Sequence, residues 1–376
     1  MSNSEKTPDA SPEAPSGAVA QSGTQRIAVL GGDGIGPEVT REALKVLEAT
    51  RSRFGLDLET VELGWNADRY LETGETLPDG ALEDLRDNFA AIFIGAYGDP
   101  RVPDMKHAAD ILLGIRFGLD LYINFRPVKI YDPRLCPLRD AEAKDIDIVV
   151  FRENTEGAYV GAGGIFKKGT PDEVAIQEEI HTRKGVERIL RAAFEYAVSH
   201  DRKSVCMCDK SNVMRFGHDL WQRCFAEVAA EYPAIETQHF YVDALAMQLI
   251  KVPERFDVIV TNNMFGDILT DLGAALQGGL GLAASANVHP GRTSMFEPVH
   301  GSAPKYAGKG VANPLAAVLS VSLMLDELGH GGAAKAVEAA VEASLAAGNT
   351  TRDLGGDLST SEVGDLLAQA VASAGG

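Results

Sequence analysis

Residues 26–47, RIAVLGGDGIGPEVTREALKVL, decide the fold. The first five are a continuous apolar run of the kind that fills a strand buried on both faces, and they lead directly into a glycine-rich turn. Pro37 follows. Proline is tolerated in the first turn of a helix, where its missing N–H has no intrahelical partner. Behind it Val39, Ala43, Leu44, Val46 and Leu47 recur at helical spacing. The stretch therefore reads as strand, tight turn, helix. Its glycines depart from the Rossmann fingerprint, because after Gly32 and Gly34 the third position holds Pro37, and no Walker lysine follows. The turn either brings backbone close to a ligand or is a plain strand-to-helix connection.

The same unit recurs along the chain. LDLETVEL (56–63) reads as a strand, DGALEDLRDNF (79–89) as a helix, and AAIFIGAYGDP (90–100) as an apolar strand stopped by a Gly/Pro turn. HAADILLGIRFGLDLYINFRPVKIY (107–131) predicts a helix of one or two turns, then a strand ending at Arg126-Pro127. IDIVVFRENTEGAYVGAGG (146–164) repeats strand and turn, and AIQEEIH (175–181) alternates like an exposed strand suited to pairing with another subunit. Alternating strands and helices at this pitch predict an α/β fold with a largely parallel open sheet, and 376 residues suffice for two domains or lobes.

A net charge of −19 supplies no basic face for phosphates, which excludes nucleic acid as a partner. The acidity serves either solubility or life at high internal salt. Cys136, Cys206, Cys208 and Cys224 form no CxxC pair and read as reduced thiols of a cytoplasmic protein. Residues 1–24 carry almost no large apolar side chain, so they are expected to be a disordered tail. They lack the apolar core of a secretory signal. The longest apolar run, near Leu315 to Leu325, is too short to span a bilayer.

Chemistry gathers in residues 241–272, YVDALAMQLI, a link, FDVIVT and NNMFGDILTDL. If a helix follows Phe265, Asp267 and Asp271 stand four apart on one face, and like charges there repel unless a cation lies between them. With Asp243, such oxygen ligands suit Mg²⁺ or Mn²⁺. The alternative is one acid at the positive helix end and another facing solvent. Arg116, Arg126 and Arg152 recur beside turns and could together clamp a dicarboxylate, although each alone fits an ordinary ion pair. Lys210, at the end of the apolar strand SVCMC, could serve as a general base or be a plain strand-end lysine. Tyr159 could donate a proton or pack in the core. The small-residue loop from His300 to Pro314 holds Lys305, Tyr306, Lys309 and Asn313, and is long enough to suggest a role with an adenosine or its phosphates.

GGDGIGPEV, FRENTEGAY, DKSNV, VDALAMQL, TNNMFGDILTDL and FEPVHGSAPKYAGKGVANP together resemble the decarboxylating β-hydroxyacid dehydrogenases, the isocitrate/isopropylmalate dehydrogenase family. The resemblance covers residues 26 to 372. It implies a mixed open sheet with a non-Rossmann dinucleotide site and a discontinuous large domain, residues 25–121 plus 279–376, around a small dimerisation domain, residues 122–278. It implies metal-assisted oxidative decarboxylation of a small dicarboxylate in a homodimer with shared sites. Asp243, Asp267 and Asp271 match the metal ligands, and Asp243 and Lys210 would come from the partner subunit. Arg116, Arg126 and Arg152 match the carboxylate clamp, with Asp243 beside the substrate as well. Lys210 matches the base, and Tyr159 the acid that protonates the enol.

Within the family, LLGIR is similar to the isopropylmalate branch, where Leu112, Leu113 and Val213 would hold an isopropyl group. Two departures stand against this. Ala109 occupies a position where that branch commonly has glutamate, with Asp110 beside it, and FRENTEGAY is closer to the isocitrate, homoisocitrate and tartrate branches. Oxidation of those acids or of malate is the alternative, and a non-catalytic regulatory homologue a remoter one. The cofactor region is implied at His300, Gly301, Ser302, Ala303, Lys305, Tyr306, Asn313 and Arg352. The Asp-Ile pair usual in NAD users is here Lys305-Tyr306, which resembles the NADP-using isocitrate enzymes and suits a 2′-phosphate.

Overall fold

The computed structural model describes residues 23–139 and 145–373, so the expected tail lies outside the described residues up to Ser22. β1 (Gln25–Gly32) passes through the glycine turn into α1 (Gly36–Phe54), as its sequence predicts. Ile27 to Leu30 are buried, and Val39, Ala43, Val46 and Leu47 form the buried stripe of α1. Gly36 is required at the turn, since a Cβ would lie 2.3 Å from the Gly31 carbonyl oxygen and 2.7 Å from Ala96 N.

β2 (Leu58–Glu62), α2 (Ala67–Thr73), α3 (Ala81–Asn88), β3 (Ala91–Ala96), α4 (Lys106–Gly118), β4 (Ile123–Lys129) and β5 (Asp147–Glu153) follow. β6 (Gly163–Phe166) and β7 (Val174–Gln177) pair as an exposed two-stranded arm. Then come α5 (Arg183–Ser199), β8 (Ser204–Asp209), α6 (Gly217–Ala229), β9 (Glu236–Tyr241), α7 (Val242–Lys251), β10 (Val258–Thr261) and α8 (Asn263–Leu276). β11 (Ala284–Val288), β12 (Ser294–Pro298), α9 (Leu315–Glu327), α10 (Gly331–Ala346) and α11 (Thr360–Ser373) complete the chain.

Among the described residues ten strands form one sheet in the order β2-β1-β3-β12-β11-β4-β5-β10-β8-β9. The outer pairings are parallel and the three central ones, β12 with β11, β11 with β4 and β4 with β5, are antiparallel. The two outer halves therefore run in opposite senses. Strands within residues 25–96 and 284–298 make one half, and those within 123–261 the other. Helices α1, α9, α10 and α11 pack together against the first half, and α5 and α6 against the second.

Two local expectations are corrected. α4 spans 13 residues rather than one or two turns. Its first buried position is His107, a polar residue that the apolar pattern does not count, held inside by Asp33 Oδ2 at 2.7 Å. β4 does not end at Arg126-Pro127 but runs on to Lys129. Proline lacks a ladder donor, and here the loss is harmless because β11 pairs only with Ile123 to Phe125, leaving that side of β4 open at Pro127. All four cysteines are buried and free. Among the described residues no helix is long and apolar enough to cross a membrane.

Candidate active site

The centre of the sheet brings three guanidiniums together. Arg126 and Arg152 stand on the antiparallel neighbours β4 and β5, and Arg116 lies in the last turn of α4. Gly266 of α8 lets this helix lie directly on the Arg152 side chain, where a Cβ would come within 2.5 Å of Arg152 Cγ. Arg152 is 1% exposed. Its Nε and Nη2 donate to Asn263 Oδ1 at 3.0 and 2.8 Å, and its Nη1 to Asp267 Oδ1 at 2.6 Å. Arg126 Nη1 donates to Thr270 Oγ1 at 2.6 Å, and its Nη2 lies 3.8 Å from Asp267 Oδ1. Arg116 Nη2 donates to Glu297 Oε1 at 2.6 Å.

This concentration of positive charge is only partly answered. Burial first, then the neighbouring Arg152, pull Arg126 down to about 10, so it remains a cation at neutral pH. Burial also lowers Arg152. Burial favours the neutral form of Glu297, but Arg116 and Asn287 hold its carboxyl below the ordinary range. The Nε groups of Arg116 and Arg126 are buried with no hydrogen-bond partner. Such donors are costly unless something accepts from them, and a carboxylate ligand would.

Asp267 projects from α8 toward the arginines with its side chain 43% exposed, and Tyr159 Oη donates to its Oδ2 at 3.2 Å. Burial raises Tyr159, which keeps its proton available for donation. Asp271 stands one turn further along α8, exposed, with no hydrogen bond or ion pair to any described residue. Two carboxylates four residues apart, one of them unpartnered, fit a hard divalent cation. Asp243 does not join them in the same chain. It lies in the first turn of α7, where Lys210 Nζ donates to its Oδ1 at 2.6 Å and holds its carboxyl below the usual range. Among the described residues no hydrogen bond or ion pair connects the Lys210–Asp243 pair to the arginine group. Val213, in the same turn as Lys210, is 67% exposed.

Leu112 and Leu113 lie half-buried on α4, one turn before Arg116, and Leu112 packs in the core beneath that helix. Ala109 is exposed, and Asp110 turns away to Lys106 and to Thr76 Oγ1, so neither supplies the missing glutamate. On the opposite side the glycine turn and the 300s loop interlock. Ile35 N donates to the Ser302 carbonyl at 2.8 Å, and a Cβ on Gly34 would lie 2.1 Å from that oxygen. Ala303 is left-handed at φ 38°, turning the exposed Gly301 and the Lys305-Tyr306 pair outward. Lys305 Nζ sits 4.7 Å over the Tyr306 ring. Asn313 Nδ2 donates to Asp353 Oδ2 at 3.0 Å, which ties the exposed Arg352 to this loop. Burial keeps His300 neutral, and its Nε2 is buried without a partner. A loop with open backbone, two exposed cations and an orphaned imidazole nitrogen fits a phosphorylated nucleotide.

Glu297, Asn263 and Thr270 were not singled out in the sequence. All three fall inside the quoted motifs, and a lone acid within the apolar strand SMFEP is a signal for a buried ion pair.

Buried arginines with unanswered donors beside two carboxylates of one helix, within an open mixed sheet, fit a small polycarboxylate and a hard cation. The chain belongs to the isocitrate/isopropylmalate dehydrogenase family, whose profile matches residues 26–367. Membership implies a divalent metal and a nicotinamide-type cofactor. The 3-isopropylmalate dehydrogenase of Thermobifida fusca is 49% identical over 354 residues, covering 94% of this chain and 99% of that protein. The 3-isopropylmalate dehydrogenase of Corynebacterium glutamicum is 48% identical, covering 93% and 100%. The crystal structure of isocitrate dehydrogenase from Methylococcus capsulatus superposes with a TM-score of 0.85 at 36% identity, covering 93% of this chain and all of that one.

Proposed function

We propose that this chain is a 3-isopropylmalate dehydrogenase of leucine biosynthesis, converting 3-isopropylmalate to 2-oxoisocaproate and CO₂. The observation that carries the reading is the placement of Leu112 and Leu113 on the same helix face region as Arg116. A substrate clamped by the arginines would present its third substituent to two leucines, which favours an isopropyl group over the extra carboxylate of isocitrate. The relatives support the same choice.

In this reading Arg116, Arg126 and Arg152 hold the two carboxylates. Lys210 of the partner subunit accepts the proton of the substrate hydroxyl as the carbon-bound hydrogen leaves with its electron pair for the nicotinamide. The bond from C3, which carries the isopropyl group, to its own carboxylate then breaks, releasing CO₂ and leaving its electron pair in the enol, and Tyr159 returns a proton to C3. Asp267, Asp271 and Asp243 of the partner subunit would hold Mg²⁺ or Mn²⁺, which supplies polarisation of the hydroxyl and ketone oxygen. The nucleotide would lie along His300 to Asn313. Lys305, Tyr306 and Arg352 favour NADP over the NAD customary for isopropylmalate oxidation, since they offer cations and a phenol where a carboxylate would repel a 2′-phosphate.

A homodimer with shared sites, built from a large domain (25–121 plus 279–376) and a small one (122–278), belongs to the same proposal. Its support is the exposed apolar surface of the arm and the nearby helices, with Phe166 at 65% and Phe216 at 94% exposure, and the separation of Lys210–Asp243 from the remaining site residues. Four reduced cysteines favour the cytoplasm. The test is a steady-state comparison of 3-isopropylmalate, isocitrate, homoisocitrate, tartrate and malate, each with NAD and NADP and with Mg²⁺ or Mn²⁺. Highest kcat/KM on any acid other than 3-isopropylmalate would overturn the substrate assignment.

A further inference from the structure

Glu179 and His181 follow the arm strand β7, and His218 lies in the first turn of α6. The two imidazole side chains are buried and the Glu179 side chain is nearly so, and the three offer ligand atoms within 4.8 Å of one another, the only such trio among the described residues. A carboxylate with two imidazoles resembles a transition-metal site. The hydrogen bonds on the far side of each ring oppose that. Trp221 Nε1–H, which can only donate, lies 3.2 Å from His181 Nδ1. The Lys210 backbone N–H, equally a pure donor, lies 2.7 Å from His218 Nδ1. Nδ1 of His181 must therefore present its lone pair. At His218 a second donor, Asn262 Nδ2, lies 3.3 Å from Nε2, but the Lys210 N–H contact at 2.7 Å is much the shorter and assigns the lone pair to Nδ1. This places the proton of each neutral ring on Nε2, the atom that faces Glu179. A metal at Nε2 would require both rings to lose their last proton.

The protonated Nε2 atoms suit Glu179 instead. Its Oε1 accepts from Asn262 Nδ2 at 2.8 Å and lies 3.0 Å from His181 Nε2, while its Oε2 lies 3.7 Å from His218 Nε2, beyond hydrogen-bond length. Both ring contacts are electrostatic, and His181 Nε2 and Glu179 Oε2 have no hydrogen-bond partner among the described residues. Asn262 Oδ1 in turn caps α8 by accepting from Phe265 N at 2.8 Å. Gly217 makes room for the cluster, since a Cβ there would meet His181 Cδ2 at 2.7 Å. One carboxylate thus sits between the base of the arm, the turn that begins at Lys210 and the N-terminus of the helix carrying Asp267 and Asp271.

We propose that Glu179, His181 and His218 form a metal-free brace, in which His218 is a positioning residue that fixes the Lys210 backbone and hence the origin of its side chain. The proposal rests on Lys210 being the base of the reaction. Asparagine at position 218 can place Oδ1 where Nδ1 now accepts from Lys210 N–H, whereas leucine fills the space without an acceptor. His218→Leu should therefore lower kcat about 100-fold while leaving KM for the acid within about threefold, because the arginines that hold it are untouched. His218→Asn should keep kcat within about threefold. Equal losses in the two variants, or an effect on KM alone, would overturn the proposal.

The kinetics are to be run with whichever of the five acids the wild-type enzyme oxidises, so an error in the substrate assignment does not enter the comparison. A second readout needs no turnover and no variant: imidazole ¹⁵N–¹H correlation spectra of the wild-type protein should show His181 and His218 as Nε2–H tautomers. Nδ1–H tautomers would refute the brace. One equivalent of zinc per chain, lost in Glu179→Gln, would do the same.

Discussion

Replacing Gly266 with alanine would push a methyl group into the guanidinium that the site is built around. The new Cβ would stand 2.5 Å from Arg152 Cγ and 2.6 Å from its Cβ. Ordinary carbon contacts lie at about 3.5–4.0 Å, so either the arginine or α8 must move by roughly 1 Å. Arg152 has no slack, because Asn263 and Asp267 bind its nitrogens and it is fully buried. Overpacking of this kind costs about 1–3 kcal/mol, and exchanging glycine for alanine inside a helix returns up to about 1 kcal/mol. The net effect on stability is then a loss of ~0–3 kcal/mol, a shift of a few degrees in Tm. The effect on turnover is larger: a ~1 Å misplacement of a substrate-binding group lowers kcat/KM about 100-fold, or ~2.7 kcal/mol of transition-state stabilisation. Steady-state kinetics and calorimetry on the purified variant measure both. A variant with kcat/KM within about threefold of wild type would refute the argument that α8 and Arg152 are locked together.

Glu297 is held ionised below its ordinary range, so its contribution to stability is present above about pH 4.5 and lost as pH falls below it. Glu297→Gln should cost ~3 kcal/mol at pH 7, and its Tm should converge with that of wild type in acid; a pH-independent difference would contradict this. Lys305→Asp combined with Tyr306→Ile should reduce kcat/KM for NADP about 100-fold and leave NAD less affected. A wild-type enzyme that already strongly prefers NAD would defeat the cofactor assignment. Placing aspartate at both Phe166 and Ile176 should convert the dimer to an inactive monomer in light scattering, and a fully active monomer would exclude shared sites.

Much of this was legible from local pattern. The apolar run and glycine turn at residues 26–47 fix β1 and α1, because burial on both faces and the 3.6-residue period are properties of a segment and its own neighbours. The four-residue spacing of Asp267 and Asp271 was equally local, and α8 carries both. The acid in SMFEP and the histidine that opens α4 were less legible, since each is a polar residue whose burial depends on a distant partner, Arg116 and Asp33 respectively.

The sequence by itself determined the α/β class, the reduced thiols and the residues capable of the chemistry. Only the tertiary structure decided that the sheet reverses at its centre, that Arg126 stands mid-strand rather than at a strand end, and that Asp243 pairs with Lys210 apart from the arginine group. It also decided which nitrogens of His181 and His218 carry their protons. The physical reason is the range of the forces involved. Periodicity records which side of one element is buried, whereas strand order, ion pairing and tautomer are set by groups on other elements, which meet only after the elements have packed.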